Sequence, residues 1–350
     1  MNRIQQSPFI FLWMLFIAHA AFSQNEKLEW TVTERKDKKQ IDILWGDKLL
    51  TSYCYYDSTR KPILFPVRTV SGITVTRGFP IKPLPGETAD HPHHMGLWLN
   101  YEYVNGFDFW NNSTAVPLKE RAKYGTIHHD KVISSKATSK EAELVVRENW
   151  IIPDGTTLLK EQTQFIFHKD EAQFIIDRIT TLTAQAKEVS FKDTKDGFIA
   201  IRVARELEMP IKGRRELVDH NGNVTKGEDD GEIATGLYLN SEGLTGDAAW
   251  GARARWCTLA GKKEGQDISI SIIDHPKNIG YPTYWHARGY GLFAANPLGQ
   301  EIFSQGKLKL NFLLPANQSV TFRFRIVIIS GKKSTAQETN LLADEFAKAF

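Results

Sequence analysis

From residue 28 to 70 apolar and polar positions alternate with period two, through TVTER, IDILW, LLTSYCYY and ILFPVRTV. Alternation of this kind, rich in β-branched and aromatic residues, predicts half-buried strands, with charged turns at Lys36 to Lys39 and at Gly46-Asp47 between them. Longer strand-like runs follow over 126–134, 142–152, 157–168, 173–183 and 188–193, and the Pro153-Asp154-Gly155 turn between two of them signals a hairpin. WGARARWCTL and DISISIID read as further strands. The final strand is the clearest: Phe322, Phe324, Ile326 and Ile328 point one way, Thr321, Arg323 and Arg325 the other. A helix is expected over 334–350, capped by Ser334 with Gln337 three residues on, and laying Leu342 and Phe346 on the domain.

Roughly fifteen strands, one short C-terminal helix and no 20 to 50-residue repeat predict an all-β protein, two large antiparallel sheets stacked face to face. Residues 24–350 form one such domain. Between 212 and 249 the composition shifts to Gly, Asp, Asn and Glu, which predicts a binding-loop or lid insertion, or a solvated excursion.

One stretch departs from packing patterns. DHPHHMGLWLNYEYVNGFDFW, Asp90 to Trp110, gathers three imidazoles, two aspartates and two indoles within twenty-one residues. Burying so many titratable groups without partners is unfavourable, so the stretch reads as one wall of a polar, aromatic-lined pocket. If 96–104 is a strand, Trp98, Asn100 and Glu102 share one face and Leu97, Leu99, Tyr101 and Tyr103 the other. About 180 residues later DHPKNIGYPTYWHARGYG, Asp274 to Gly291, repeats the Asp-His-Pro opening, with glycine again six positions after the aspartate. The two segments are expected to face each other across one site.

Composition narrows the chemistry. The net charge of +3, without a basic stripe carrying interleaved aromatics, gives no argument for nucleic acid. Nine tryptophans are more than a core of this size needs, and clusters of them near polar loops suit ligands with apolar C–H faces and hydroxyl rims, such as a small sugar or oligosaccharide. Residues 1–23 read as a signal peptide, with Arg3 ahead of an apolar run from Pro8 to Phe22; export to the periplasm or beyond is expected, with no membrane attachment after cleavage. Cys54 and Cys257 are too few for a disulfide scaffold, and could pair or be two buried thiols.

Acid–base catalysis would draw on His94, His93, His286, Asp274 and Glu102, because imidazoles give and take protons near neutrality and carboxylates orient them. Trp98, Trp110, Tyr284, Trp285, Arg288 and Asn296 are the candidate substrate-binding residues; Arg288, flanked by glycines, suits a carboxylate or a hydroxyl pair. His91, His93, His275 and Asp90 are the donor set for a divalent metal, although no H-E-x-x-H or Cys-x-x-Cys spacing is present. Asp193 and Asp196, with Lys192 and Lys195, read as a salt-bridged turn rather than a catalytic pair.

The blocks DHPHHMGLWLNYEYVNGFDFW, KDTKDGFIAIRVARELE, WGARARWCTLAG and IDHPKNIGYPTYWHARGYGLFAANPLGQ resemble the bacterial family known as methane oxygenase PmoA-like, over about 63–330. That resemblance implies an exported protein of polysaccharide-degrading bacteria and, from the family's label, a metal-dependent oxygenase. More distantly the arrangement is similar to galactose-mutarotase-like β-supersandwiches. This second resemblance implies a supersandwich fold, a sugar ligand, a histidine at His94-Met95-Gly96 entering a strand, and Asp274, before Asn278 and Pro282, as base. Three functions remain open: a carbohydrate isomerase, lyase or hydrolase, a non-catalytic carbohydrate-binding protein, and an oxygenase.

Overall fold

The computed structural model describes residues 29–350; the expected signal peptide lies outside the described residues. Two eight-stranded sheets carry the fold, antiparallel throughout. The first runs, in spatial order, Trp30–Arg35, Gln40–Trp45, Lys48–Cys54, Ile63–Val67, Leu97–Tyr101, Gly197–Arg202, Leu292–Asn296 and Tyr284–Ala287. The second runs Leu237–Asn240, Trp256–Lys263, Gln266–Asp274, Ser319–Ser330, Gln173–Ala184, Thr157–Asp170, Glu141–Ile151 and Thr126–Ala137. The all-β two-sheet reading is borne out, and the early meander and the long central hairpins are where alternation placed them.

Each sheet turns one face inward. Leu97, Leu99, Ile199, Ile201, Phe293 and Trp285 from the first sheet meet Phe167, Ile176, Phe322, Phe324, Ile326 and Ile328 from the second in one shared core. A polar knot crosses this core. Tyr53 of the first sheet donates its hydroxyl to Glu148 of the second at 2.8 Å. Glu148 is paired across the strands with Glu161, which accepts from Trp150 Nε1, Thr163 Oγ1 and Arg178. Burial, then the neighbouring Glu161 charge, pushes the Glu148 carboxyl well above its ordinary range.

The outer face of the second sheet is closed by the helix Ala336–Lys348. Val327, Ile329, Trp256 and Ile273 receive Ala343 and Phe346 there, each large buried apolar side chain contributing about 2 kcal/mol. The cap is one residue later than expected: Thr335, not Ser334, accepts from the Glu338 amide, and Glu338 returns a bond to the Thr335 amide. Ser334 instead bonds the Thr339 hydroxyl.

The expected insertion is more ordered than a loop. Gly213–Val218 and Val224–Asp229 pair as a hairpin, and Leu237–Asn240 joins the edge of the second sheet. The hairpin docks by backbone bonds to the segment before Asp90, from Ala89 to Glu216 and from Gly86 to Val218, and by Arg215 to the buried Glu208 at 2.8 Å. Cys54 and Cys257 are separate buried thiols. Among the described residues no helix is long and apolar enough to cross a membrane.

Candidate functional site

The unusual side chains gather on the outer face of the first sheet, which loops and the one-turn helix Gln300–Phe303 overlie. Register places Trp98, Ala200, Ala294 and His286 in one row across four strands. At about 4.8 Å per strand, the row separates Trp98 from His286 by about 14 Å. The two alanines in its middle keep the floor low, so side chains from the loops lie above it.

At one end stands the loop carrying the first imidazole cluster. Arg77 Nη1 and Nη2 donate to the carbonyls of Thr88, Asp90, His91 and His94, and to Asp90 Oδ1 at 2.7 Å. Arg202 donates to Thr88 Oγ1, to Asp90 Oδ1 at 2.7 Å and to Glu208 at 3.3 Å. Both arginines are fully buried, and they hold the loop in place of regular structure. The chain enters the strand through Gly96, at φ +61°, where a Cβ would lie 2.4 Å from the Leu64 carbonyl oxygen, so only glycine fits. Burial would raise the Asp90 carboxyl, but the bond from His91 and the charges of Arg202 and Arg77 hold it far below its usual range.

His94 lies under this loop, stacked on His91 at 4.9 Å and on Trp98 at 5.5 Å, with Trp110 at its edge. Its Nδ1 faces Arg202 Nη1 at 3.5 Å and can only accept, so the ring proton sits on Nε2, which is buried without a protein partner. Burial first, then neighbouring positive charge, keeps both His93 and His94 neutral. Sequence reasoning missed Lys61. Its ammonium donates to the His93 carbonyl at 2.7 Å and sits 5.3 Å over the Trp98 ring, and burial lowers it to about 7.

At the other end His286 Nδ1 donates to the Lys195 carbonyl at 2.9 Å, which leaves Nε2 as a lone-pair acceptor with no protein donor. Burial pushes the ring down to about 4 although Asp196 stands 3.7 Å away. Asn296 holds the 194–195 carbonyls with its Nδ2 and takes the Leu298 amide on its oxygen. Glu102 accepts from the Thr194 hydroxyl, and burial raises its carboxyl. The reading of Asp193 and Asp196 as one salt-bridged turn holds for Asp196, which pairs with Lys195 at 3.1 Å and also stands beside His286 and Glu102, but not for Asp193, which accepts the amides of Glu301, Leu310 and Asn311.

Between the two ends runs an open cleft. The Arg288 guanidinium lies 5.8 Å from the Trp250 ring and 5.6 Å from that of Tyr290. A cavity of about 340 Å³ surrounds it, bounded by Met209, Ile211, Asp247 and Gly289. A second, of about 510 Å³, shares Ile211 and Tyr290 and extends along Asp90, Lys212, Arg214 and Glu216 of the hairpin.

The two distant segments therefore meet, but only in part. Tyr290 stacks on His91 and His94, whereas the Asp274 end of the second segment belongs to the other sheet. Asp274 is corrected as a catalytic candidate: its oxygens accept from the His275 and Thr283 amides and from Asn278 Nδ2, which ties the 274–283 loop. Asn278 in turn binds both backbone polar groups of Arg323. Trp285 is also corrected. Strand alternation turns it into the core while His286 faces out, and its Nε1 donates to the Ala254 carbonyl. Trp98 and Trp110 are fully covered, a buried floor rather than a stacking platform for ligand. Tyr284 packs on Phe303 and under Arg253, away from the cleft, and Asn296 has no free polar group. Of the expected binding residues only Arg288 faces the cleft, joined by Trp250 and Tyr290.

The proposed metal set does not converge. His275 receives the Lys277 amide and packs against Phe346 of the terminal helix, far along the fold from His91 and His93. Asp90 is occupied by two arginines and His91. Among the described residues no group of three or more His, Cys, Asp and Glu side chains has the geometry to hold a metal ion. These donors do not fit a metal site.

An antiparallel two-sheet sandwich with imidazoles, carboxylates and an arginine on the outer face of one sheet defines the class of protein. The chain belongs to the family of unknown function DUF6807, whose model matches residues 40–344. Among curated proteins none matches. Among solved structures it is similar to the GH36 α-galactosidase AgaB from Geobacillus stearothermophilus, with 12% identity, a TM-score of 0.38, and 87% of this chain and 41% of that chain covered. It is also similar to the galactosidase domain of the α-galactosidase-sucrose kinase AgaSK, with 9% identity, a TM-score of 0.38, and 86% and 41% covered. The chain spans less than half the length of either structure.

Proposed function

We propose that this is an exported carbohydrate-active enzyme that works by proton transfer, through isomerisation, elimination or hydrolysis of a sugar or oxidised sugar. One observation carries the reading: His286 is held neutral with its Nε2 lone pair free, in the same cluster as Asp196 and a Glu102 carboxyl raised by burial. A base and an acid with opposed environments are what such reactions require. His286 Nε2 takes the proton, and Glu102, oriented by the Thr194 hydroxyl, supplies one.

The test is turnover of a panel of neutral and oxidised mono- and oligosaccharides, followed by NMR, with wild-type protein and His286→Asn. Loss of a general base lowers turnover about 10²- to 10⁴-fold. Absence of turnover across the panel, or an unchanged rate in the variant, overturns the reading. Non-catalytic sugar binding is favoured by a different observation, that the accessible cleft is the Trp250–Arg288–Tyr290 groove while His94, Trp98 and Trp110 are closed off. In that case the same panel gives saturable binding and no product.

A further inference from the structure

Resting on the carbohydrate reading above, we propose that the ligand is an acidic sugar whose carboxylate is held by Arg288. The arginines around the site differ in one respect. Arg77, Arg202, Arg205 and Arg215 each reach a carboxylate within the protein. Arg288 does not. Among the described residues no acid lies within ion-pair distance of it, although Asp247 lines the same cleft.

Its surroundings nonetheless fix it. The 288–291 turn is closed by backbone bonds from Arg288 to Leu292 and from Gly291 to Arg288, and Met209 donates to the Gly289 carbonyl. A Cβ on Gly291 would stand 2.9 Å from the Glu208 side chain, at φ +87°, so the turn is wedged against a buried anchor. The guanidinium carbon lies over the Trp250 and Tyr290 rings, and Tyr290 is itself held by His91 at 5.0 Å and Arg202 at 5.0 Å.

A guanidinium without an ion-pair partner keeps its N–H rim for a planar oxyanion, and a carboxylate matches that fork with two parallel bonds. The cavity of about 340 Å³ is of monosaccharide size. Arg288 lies one residue past the strand that carries His286, and the Trp250 ring neighbours both side chains, so a carboxylate on Arg288 brings the attached ring towards the His286–Asp196 pair. The adjoining cavity carries Lys212, Arg214 and Arg215 against Asp90 and Glu216, and this basic excess continues the same charge preference for a longer acidic chain.

The experiment titrates the purified full chain with D-galacturonate, D-glucuronate, D-galactose, D-glucose and trigalacturonate, read by calorimetry and by intrinsic tryptophan fluorescence. Acidic sugars are expected to bind at least about tenfold more tightly than their neutral counterparts, the range of a charge-assisted pair. Arg288→Gln should bring that ratio to about one, and Arg288→Lys should leave it between the two. Melting curves check that each variant is folded. A monomer that binds as tightly as the trimer places the carboxylate site in the Arg288 cavity alone. A trimer preference lost in Lys212→Gln/Arg214→Gln extends it along the hairpin.

Equal binding of neutral and acidic sugars, or an acidic preference that survives Arg288→Gln, overturns the inference. The two readings fail separately. Neutral sugars turned over in a His286-dependent way, with no acidic preference, would keep the enzyme reading and end this one. Arg288-dependent binding of acidic sugars without turnover would do the reverse, and binding of neither class would end both.

Discussion

The His91 imidazole lies flat on the Tyr290 phenol ring, centroids 5.0 Å apart and planes 4° from parallel. This contact joins two segments that are remote in the chain, and it does so at the edge of the open cleft. Tyr290→Ala should therefore reduce stability only modestly, by about 1 kcal/mol for the lost aromatic pair, in chemical denaturation. Ligand affinity should fall further, because Arg288 loses one of the two rings that orient it. Equal effects of Tyr290→Ala and Tyr290→Phe on affinity would show that the ring is not the orienting element.

Arg202 touches Asp90, Thr88, Glu208 and His94 with no exposure to solvent. Arg202→Met removes the cation and leaves buried acids without it. Breaking a buried pair in this way costs about 3–5 kcal/mol, measurable as a lower urea midpoint with little change in slope. A loss below about 1 kcal/mol would mean that Arg77 and Arg215 alone suffice.

The pH response of the site follows from its neutral imidazoles. His286 titrates near 4 in the folded protein and near 6.5 when unfolded, so within that window the unfolded chain binds a proton that the folded one does not. Its stabilising contribution is present above about 6.5 and is lost as pH falls towards 4, up to roughly 3 kcal/mol; His93 and His94 add in the same direction. Denaturation at stepped pH should show this slope, and His286→Gln should flatten it. If His286 is the base, the acidic limb of activity lies near 4; a limb at 6.5 would assign it to another group.

Glu148 behaves oppositely. Its folded carboxyl is raised well above the unfolded value by burial and by Glu161, so the folded state keeps a proton that the unfolded chain releases as pH rises. Stability from this group is therefore lost above the ordinary glutamate range. Glu148→Gln, which retains an acceptor for the Tyr53 hydroxyl, should match wild type at pH 5 and exceed it at pH 8 in thermal melts. Glu161→Gln should instead destabilise at both, since Arg178 loses its charged partner.

Much of the fold was legible in the chain because period-two patterning records which face of a strand is buried. The alternation of Phe322, Phe324, Ile326 and Ile328 against Arg323 and Arg325 is realised, as is that of Trp98 and Asn100 against Leu97, Leu99 and Tyr101. The helix cap was misread by one residue because Ser334 and Thr335 both carry hydroxyls, and only backbone geometry chooses between them. The site was legible as two unusual segments, and in His94, His286, Glu102 and Arg288, but not in its membership.

What the sequence by itself determined was the type and facing of its elements and the concentration of titratable groups in two stretches, since both are properties of local order along the chain. Only tertiary structure decided which of those groups share a surface. Asp90 and Asp274 open identical tripeptides, yet one meets two arginines on the outer face of the first sheet and the other binds backbone amides at the end of a strand in the second. The physical reason is that a side chain's role follows from the partners brought to it by strand order and register. The arginines at 77 and 202, the lysine at 61 and the aspartate at 196 reach the site through pairings that no local pattern encodes.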